Sequence, residues 1–211
     1  MERFVKLRGI ALPMMLVNID TDQITPGKEL VRAKLDGKYA RALFSNQRYL
    51  ADGSPDPDFI LNREPWNQAT FLLADRNFGC GSSRESAPKA LRDWGFRAII
   101  APSFGGIFYN SSFRNGLLPV ELPIEQVKEI ARQMRAADGR EQITVDLESQ
   151  TVTAPDGRRY SFNTPSVLRT MLLEGQDEIA ITLARRVEID AFRTKDRALR
   201  PWAYGISSRS A

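Results

Sequence analysis

Thr70-Phe-Leu-Leu-Ala74, then Phe78-Gly-Cys-Gly-Ser-Ser-Arg-Glu85, then Ser86-Ala-Pro-Lys-Ala-Leu-Arg-Asp-Trp94 is the stretch whose reading decides the fold of this chain. The first piece is a short apolar run and reads as a buried strand. The last carries a helical pattern that ends at Gly95. Between them, Gly79 and Gly81 let the backbone turn tightly and approach a ligand closely. Ser82, Ser83, the always-charged Arg84 and the N–H groups of a helix start then converge on one spot. That combination is a pocket for a carboxylate or a phosphate. A nucleotide-phosphate cradle is one alternative, although the run lacks the Lys-Ser/Thr ending of a P-loop and the G-x-G-x-x-G spacing of a dinucleotide fold. A purely structural turn is another.

Downstream of this stretch the pattern alternates. Strand Arg97 to Ala101 leads into Pro102-Ser-Phe-Gly-Gly106 and a short helix through Phe113. Strand Leu117 to Leu122 leads into a helix from Ile124 to about Ala137, with Ile124, Val127, Ile130, Ala131 and Met134 at core-packing helical spacing. Strands alternating with helical patterns predict βαβ units and an α/β class. Ile143 to Leu147 and Gln150 to Thr153 read as further strands, and Asp156-Gly157 as a hairpin-type turn before Arg159 to Phe162. The tail, from about Asp177, reads as helical and is rich in arginine from Arg185 to Arg200.

Upstream, Phe4 to Leu16 reads as one or two strands interrupted by Gly9 and Pro13. Asn18-Ile-Asp-Thr-Asp-Gln-Ile-Thr-Pro26 is a polar turn whose side chains favour bonds to their own backbone. Lys28 to Leu35 and Asp36 to Leu50 look partly helical, and Ala51 to Asp58 is a loop. Periodicity stays weak until Thr70, so the segment from about Lys28 to Asn67 is expected to be poorly ordered in the isolated chain. The whole is expected to be a single domain over 1–211.

Composition removes several function classes. The 211 residues are 27% charged, close to an ordinary globular protein. The net charge of +4 is spread along the chain without a basic block, which suits an anionic small molecule at least as well as nucleic acid. There is no histidine, so a His base, a Ser–His–Asp triad and a His-ligated metal are excluded within this chain. Proton transfer must come from Ser, Thr, Asp, Glu, Lys, Tyr or the single Cys80. One cysteine makes no intrachain disulfide and falls short of the roughly three or four thiolates of an iron–sulfur cluster. The N-terminus has no signal-peptide hydrophobic region, and no apolar run approaches the roughly 18 residues of a membrane span. The expectation is a soluble cytoplasmic protein with no membrane and no nucleic-acid partner.

Other residues carry two readings. Asp20 and Asp22 either cap and turn the backbone or orient a catalytic hydroxyl or arginine. Phe104, Phe108, Tyr109 and Phe113 read as core, with Gly105-Gly106 allowing close packing against the glycine loop. Cys80, lacking a His partner, reads as a small packing residue rather than a nucleophile. The arginines of the tail read as a solvated face or a partner interface.

Taken in order, NIDTDQITP, LFSNQRYL, FGCGSSRE and GFRAIIAPSFGGIFYNSSFRNGLLPV resemble the small subunits of 3-isopropylmalate dehydratases, which are similar to the last, swivelling domain of aconitase. The resemblance runs from the N-terminal strand to about residue 190. It implies a swivelling β/β/α domain that supplies half an active site. The other half, with a four-iron iron–sulfur cluster, belongs to a separate large subunit, and none is bound by this chain alone. The implied reaction is dehydration and rehydration of a small hydroxy-dicarboxylate, with iron taking the departing hydroxyl as a Lewis acid.

By the same resemblance Ser82 matches the base, and Arg84 matches the arginine that binds a substrate carboxylate bidentately. Ser83 matches a second hydroxyl of the pocket, beside Gly81. Arg48 matches an arginine placed to clamp another carboxylate. Asp22 and Thr25 fall where the aconitase domain has an acid and a hydroxyl near the substrate, with Asp22 holding an arginine or serine. The poorly ordered segment before Thr70 would close a pocket that the partner completes. Three positions depart from the family pattern: Ser86 stands where a histidine is usual, Thr25 where an apolar residue is usual, and Gln47 where an aromatic often precedes the arginine. A paralogous hydro-lyase acting on 2-methylmalate/citraconate or 2,3-dimethylmalate would carry the same core motifs. Apart from the resemblance, a stand-alone anion- or nucleotide-binding module, and an RNA-binding or scaffold role suggested by a pI of 9.4, remain open.

Overall fold

The computed structural model describes residues 1–204. They fall into two compact units, Met1–Gly175 and a second that begins at Gln176.

The first unit is built on two sheets. Strand β1 is Lys6–Gly9 and β2 is Ala11–Met14. The long connection to the next strand holds α1 (Thr21–Ile24), α2 (Gly27–Asp36) and α3 (Ser45–Arg48). Then come β3 (Phe71–Ala74), α4 (Ser86–Trp94), β4 (Ala98–Ala101), α5 (Gly106–Arg114), β5 (Leu118–Glu121) and α6 (Ile124–Ala136). Strands β2-β3-β4-β5 form one parallel sheet in that order, with Leu72 paired to Leu12 on one side and Ile99 on the other. Every residue of β2, β3 and β4 is buried, as expected for parallel strands covered on both faces. Helix α6 returns across β4, β3 and β2 and buries Val127, Ile130, Ala131 and Met134. Each such aliphatic side chain contributes about 1.5–3 kcal/mol of burial.

Prolines sit in both outer strands, Pro13 in β2 and Pro119 in β5. An edge strand tolerates a missing N–H, which an interior strand would need for its ladder. The Pro13 carbonyl accepts from Arg135 Nη2 at 3.2 Å rather than from a strand.

The second sheet is antiparallel, in the order β1-β6-β7-β8, with β6 at Ile143–Asp146, β7 at Thr151–Thr153 and β8 at Arg159–Ser161. Its strands alternate, Ile143, Val145 and Val152 turning inward. The chain leaves this sheet at Gly9 and enters the parallel one at Ala11. Helix α7 (Ser166–Glu174) closes the unit and ends at left-handed Gly175, φ 68°.

The expected elements from Thr70 to Phe162 appear within a residue or so of their anticipated ends. Helix α7 was not anticipated from the sequence pattern, which placed helix only from about Asp177. Residues 28–67 carry α2, α3 and three short 3₁₀ turns, and bury Leu43, Phe44, Leu61 and Trp66. The second unit contains α8 (Glu178–Ala184), capped by the Asp177 carboxylate on Ala180 N–H at 2.7 Å, and α9 (Arg186–Leu199). In it, Asp196 accepts from Arg200 at 2.7 and 2.8 Å and from Tyr204 at 2.7 Å. Among the described residues no helix is long and apolar enough to cross a membrane.

Candidate functional site

Ligand sites of open α/β sheets lie beyond the carboxyl ends of the strands, and here three loops meet at that end. The loop after β3 bridges both neighbours: Asp20 pairs with Cys80, and Phe78 with Phe104. Gly79 N–H donates to Ile19 carbonyl at 2.7 Å, and Thr21 N–H to Cys80 carbonyl at 2.9 Å. On the other side Phe78 N–H donates to Ser103 carbonyl at 3.1 Å, and Gly105 N–H to Phe78 carbonyl at 2.9 Å. Glycine is required at the crossing. Gly79 has φ 72°, and a Cβ there would run into the Phe108 ring; a Cβ at Gly105 would lie 2.5 Å from Gly79 oxygen. The expected close packing of Gly105 on the glycine loop is therefore present, whereas Gly106 faces open space.

Beneath the loop lies the expected aromatic core. Phe78 meets Phe108 edge-on at 5.3 Å, and Tyr109 meets Phe113 at 5.2 Å. Burial, with a smaller push from Glu121, raises the Tyr109 phenol above its ordinary value. It stays protonated at neutral pH and is no candidate base.

Asp20 and Asp22 resolve into separate tasks. Asp20 caps α1 by accepting from Gln23 N–H at 2.7 Å. Asp22 pairs with Arg84, Oδ1 to Nη2 at 2.7 Å. Arg84 Nη1 donates to Thr25 carbonyl at 3.2 Å. The guanidinium keeps further N–H donors beyond these two contacts, and it is only half-buried. An exposed pair of this kind contributes little stability. What it does is hold a planar fork at the mouth of the loop.

Ser82 and Ser83 are exposed beside it. The backbone of Ser82 is held firmly: its carbonyl accepts Arg84 N–H at 2.8 Å and Thr21 Oγ1 at 3.0 Å. Gly81 is exposed at φ 94°, its Cβ direction 3.5 Å from Asp20 Cβ and from Thr21 Oγ1. Ser82, Ser83, Arg84, Asp22 and Gly81 are thus brought together.

Two expected site residues are placed otherwise. Thr25 is fully buried, so its side chain meets protein rather than substrate: Oγ1 donates to Thr21 carbonyl at 3.2 Å and lies 3.1 Å from Ser86 Oγ. Arg48 is 3% exposed. Its guanidinium donates to the carbonyls of Ala40 and Arg41 at 3.0 and 3.2 Å and to Tyr49 hydroxyl at 2.5 Å. The ring of Tyr49 lies 4.8 Å away and that of Trp94 4.5 Å away. Buried, with three of its N–H groups and its ring contacts turned to the protein, Arg48 ties the 40–49 segment together rather than standing open as the expected carboxylate clamp.

Sequence reasoning missed Thr21 and Gly27. Thr21 Oγ1 fixes the Ser82 carbonyl, and a Cβ at Gly27 would stand 3.5 Å from Arg84 Nη1. Sequence reasoning also missed the brace from Asn77 Nδ2 to Asn18 Oδ1 at 2.9 Å, for which both residues take left-handed φ.

The donor set does not fit a metal cluster. Cys80 is the one thiol, the sequence has no imidazole, and among the described residues no group of three or more metal-ligating side chains occurs. What the loop presents is one half-buried guanidinium, Arg84, with two exposed serines at its rim.

Comparison with known proteins bears on what that loop serves. Residues 1–125 match the family model of the aconitase C-terminal domain, and residues 128–164 match a model named LeuD_N. The 3-isopropylmalate dehydratase small subunit of Cupriavidus necator is 50% identical over 206 residues, covering 97% of this chain and 99% of that protein. The small subunit of the same name from Dinoroseobacter shibae is 47% identical, covering 96% of this chain and all of that protein. The crystal structure of a 3-isopropylmalate dehydratase from Methanocaldococcus jannaschii superposes with a TM-score of 0.62 at 23% identity, over 89% of this chain and 99% of that one, which supports the fold. By its matched domain and its near-full-length relatives, the chain belongs to the aconitase C-terminal (swivelling) domain family, among the 3-isopropylmalate dehydratase small subunits.

Proposed function

We propose that this chain forms one wall of a divided active site, in which Arg84 grips a carboxylate of the substrate and Ser82 takes the proton from the carbon beside a carboxylate. The chain is the small subunit of a 3-isopropylmalate dehydratase, a hydro-lyase of leucine biosynthesis. The description of its relatives as small subunits implies a large-subunit partner. We assign the four-iron cluster to that partner, because one cysteine and no histidine do not fit it.

The observation that carries the reading is the Arg84 fork, held on one side by Asp22 and on the other by the Thr25 carbonyl, with exposed Ser82 and Ser83 next to it. A planar guanidinium with free donors suits a carboxylate, and lysine would not reproduce the geometry. A serine hydroxyl is a poor base unless its alkoxide is stabilised. The nearby guanidinium charge and the N–H groups of the glycine loop supply that stabilisation. Ser83 supplies a second hydroxyl to the bound substrate, and the 28–67 segment closes over it.

The test is anaerobic reconstitution with the large subunit, following alkene formation from 3-isopropylmalate by ultraviolet absorbance. Ser82→Ala, with an unchanged circular dichroism spectrum, is expected to lower kcat by at least about 10²-fold. A folded Ser82→Ala subunit that still supports turnover would remove serine as the base.

A further inference from the structure

We infer that Thr25 and Ser86 act together as a positioning pair for Arg84, a role that rests on reading Arg84 as the carboxylate-binding residue. The structure places them in contact, with Oγ1 of Thr25 3.1 Å from Oγ of Ser86. Thr25 is fully buried and Ser86 is 8% exposed. Two hydroxyls taken out of water in this way need partners.

The direction of the contact follows from proton counting. Thr25 Oγ1 donates its only proton to Thr21 carbonyl at 3.2 Å, so Ser86 must be the donor to Thr25. The result is a short polarised chain from Ser86 through Thr25 to the backbone of α1. It closes on Arg84 from both ends. Ser86 follows Arg84 by two residues and opens α4, while the carbonyl of Thr25 is the acceptor for Arg84 Nη1 at 3.2 Å. Arg84, Ser86 and Thr25 therefore form a ring of covalent and hydrogen-bonded links. The pair fixes the distance between the start of α4, two residues after the arginine, and the carbonyl that aims the guanidinium. Thr21, whose carbonyl ends the chain, also holds Ser82 in place through its own hydroxyl at 3.0 Å.

The experiment compares Thr25→Val, Ser86→Ala, the double variant and Thr25→Ser in two settings. In the reconstituted enzyme, each single loss of a hydroxyl is expected to raise KM for 3-isopropylmalate about tenfold, the worth of one misaimed charge-assisted hydrogen bond. kcat should stay within about twofold, because the base is untouched. The double variant should be no worse than the poorer single one, since neither hydroxyl is then left unpaired. Thr25→Ser should return KM to near the wild-type value. In the isolated, ¹⁵N-labelled chain, the Arg84 Nη signals should be sharp in the wild type and broadened by rotation in Thr25→Val and Ser86→Ala.

Unchanged KM and unchanged Arg84 signals in folded variants would overturn the pairing role, as would additive losses in the double variant. A melting temperature measured for each variant separates aim from folding, and Ser86→Ala decides the matter if Thr25→Val does not fold. Should the wild-type enzyme fail to turn over 3-isopropylmalate, the proposed function falls, while the Arg84 signals still decide the pairing.

Discussion

A guanidinium beside a half-exposed carboxylate keeps donors within reach of solvent, whereas one buried against two aromatic rings with N–H groups on backbone carbonyls is closed off from it. Arg84 is the first kind and Arg48 the second. In the sequence the two look alike, each following a short polar run, and both were expected to bind a carboxylate. The glycines and serines around Arg84 are adjacent to it in the chain, so the loop can be read off one stretch. The partners of Arg48 come from Ala40, Arg41, Tyr49 and the far end of α4 at Trp94, a meeting that no local pattern encodes. The same reasoning covers Thr25, whose burial depends on α4 lying against α1. Arg48→Ala is expected to lose about 2–4 kcal/mol of stability by urea unfolding, from buried charge-assisted hydrogen bonds and ring contacts, and to leave KM near wild type. A variant that melts normally but binds substrate poorly would return Arg48 to the clamp role.

Elements with strong punctuation were legible to the residue. Helix α4 runs from Ser86 to Trp94 because a glycine loop delivers it and Gly95 ends it. The strands of the parallel sheet were legible because both their faces are apolar. Helix α7 was not, since Val167 is exposed and its buried side chains are few, Met171 and Leu172. The segment before Thr70 divides at α3. Helix α2 leaves Val31 69% and Leu35 82% exposed, while Leu43, Phe44, Leu61 and Trp66 are buried. Disorder in the isolated chain is therefore proposed for α2 rather than evenly over 28–67. Hydrogen exchange should show amides of 28–36 exchanging in seconds and those around 43–48 protected, and uniform protection across both would contradict it.

Acid should weaken the carboxyl contacts at the N-terminus and on the antiparallel sheet. The Glu2 carboxyl is held below its ordinary value by its hydrogen bond to Arg97 and by that charge, and Asp146 is held down by the Ser149 backbone N–H. A carboxyl whose folded value is depressed contributes stability above its unfolded value and loses it as pH falls through the folded one. The melting temperature should be flat near neutrality and decline once pH passes below about 4. Asp146→Asn should flatten part of that decline, and an unaltered profile would dismiss the link.

At the scale of the whole molecule, every residue of the hydrophobic core lies at or before Leu172. Nothing in the sequence ranks that boundary, because the helical pattern of the tail begins only a few residues later. We propose the tail as an appendage to a domain that folds by itself. A chain ending at Gly175 should unfold cooperatively within about 3 °C of the full chain, a shift below about 1 kcal/mol, and a lowered or broadened transition would make the tail part of the fold. The order of the two sheets was equally hidden, since it depends on where the chain crosses at Ile10 rather than on any strand's own composition. The outermost strands carry a consequence for the life of the free subunit. A foreign chain that tries to lengthen the parallel sheet meets an imide nitrogen at Pro13 on one side and at Pro119 on the other, and the row of donors it would copy is broken there. Copies waiting for the large subunit are thereby discouraged from stacking edge to edge into fibrils.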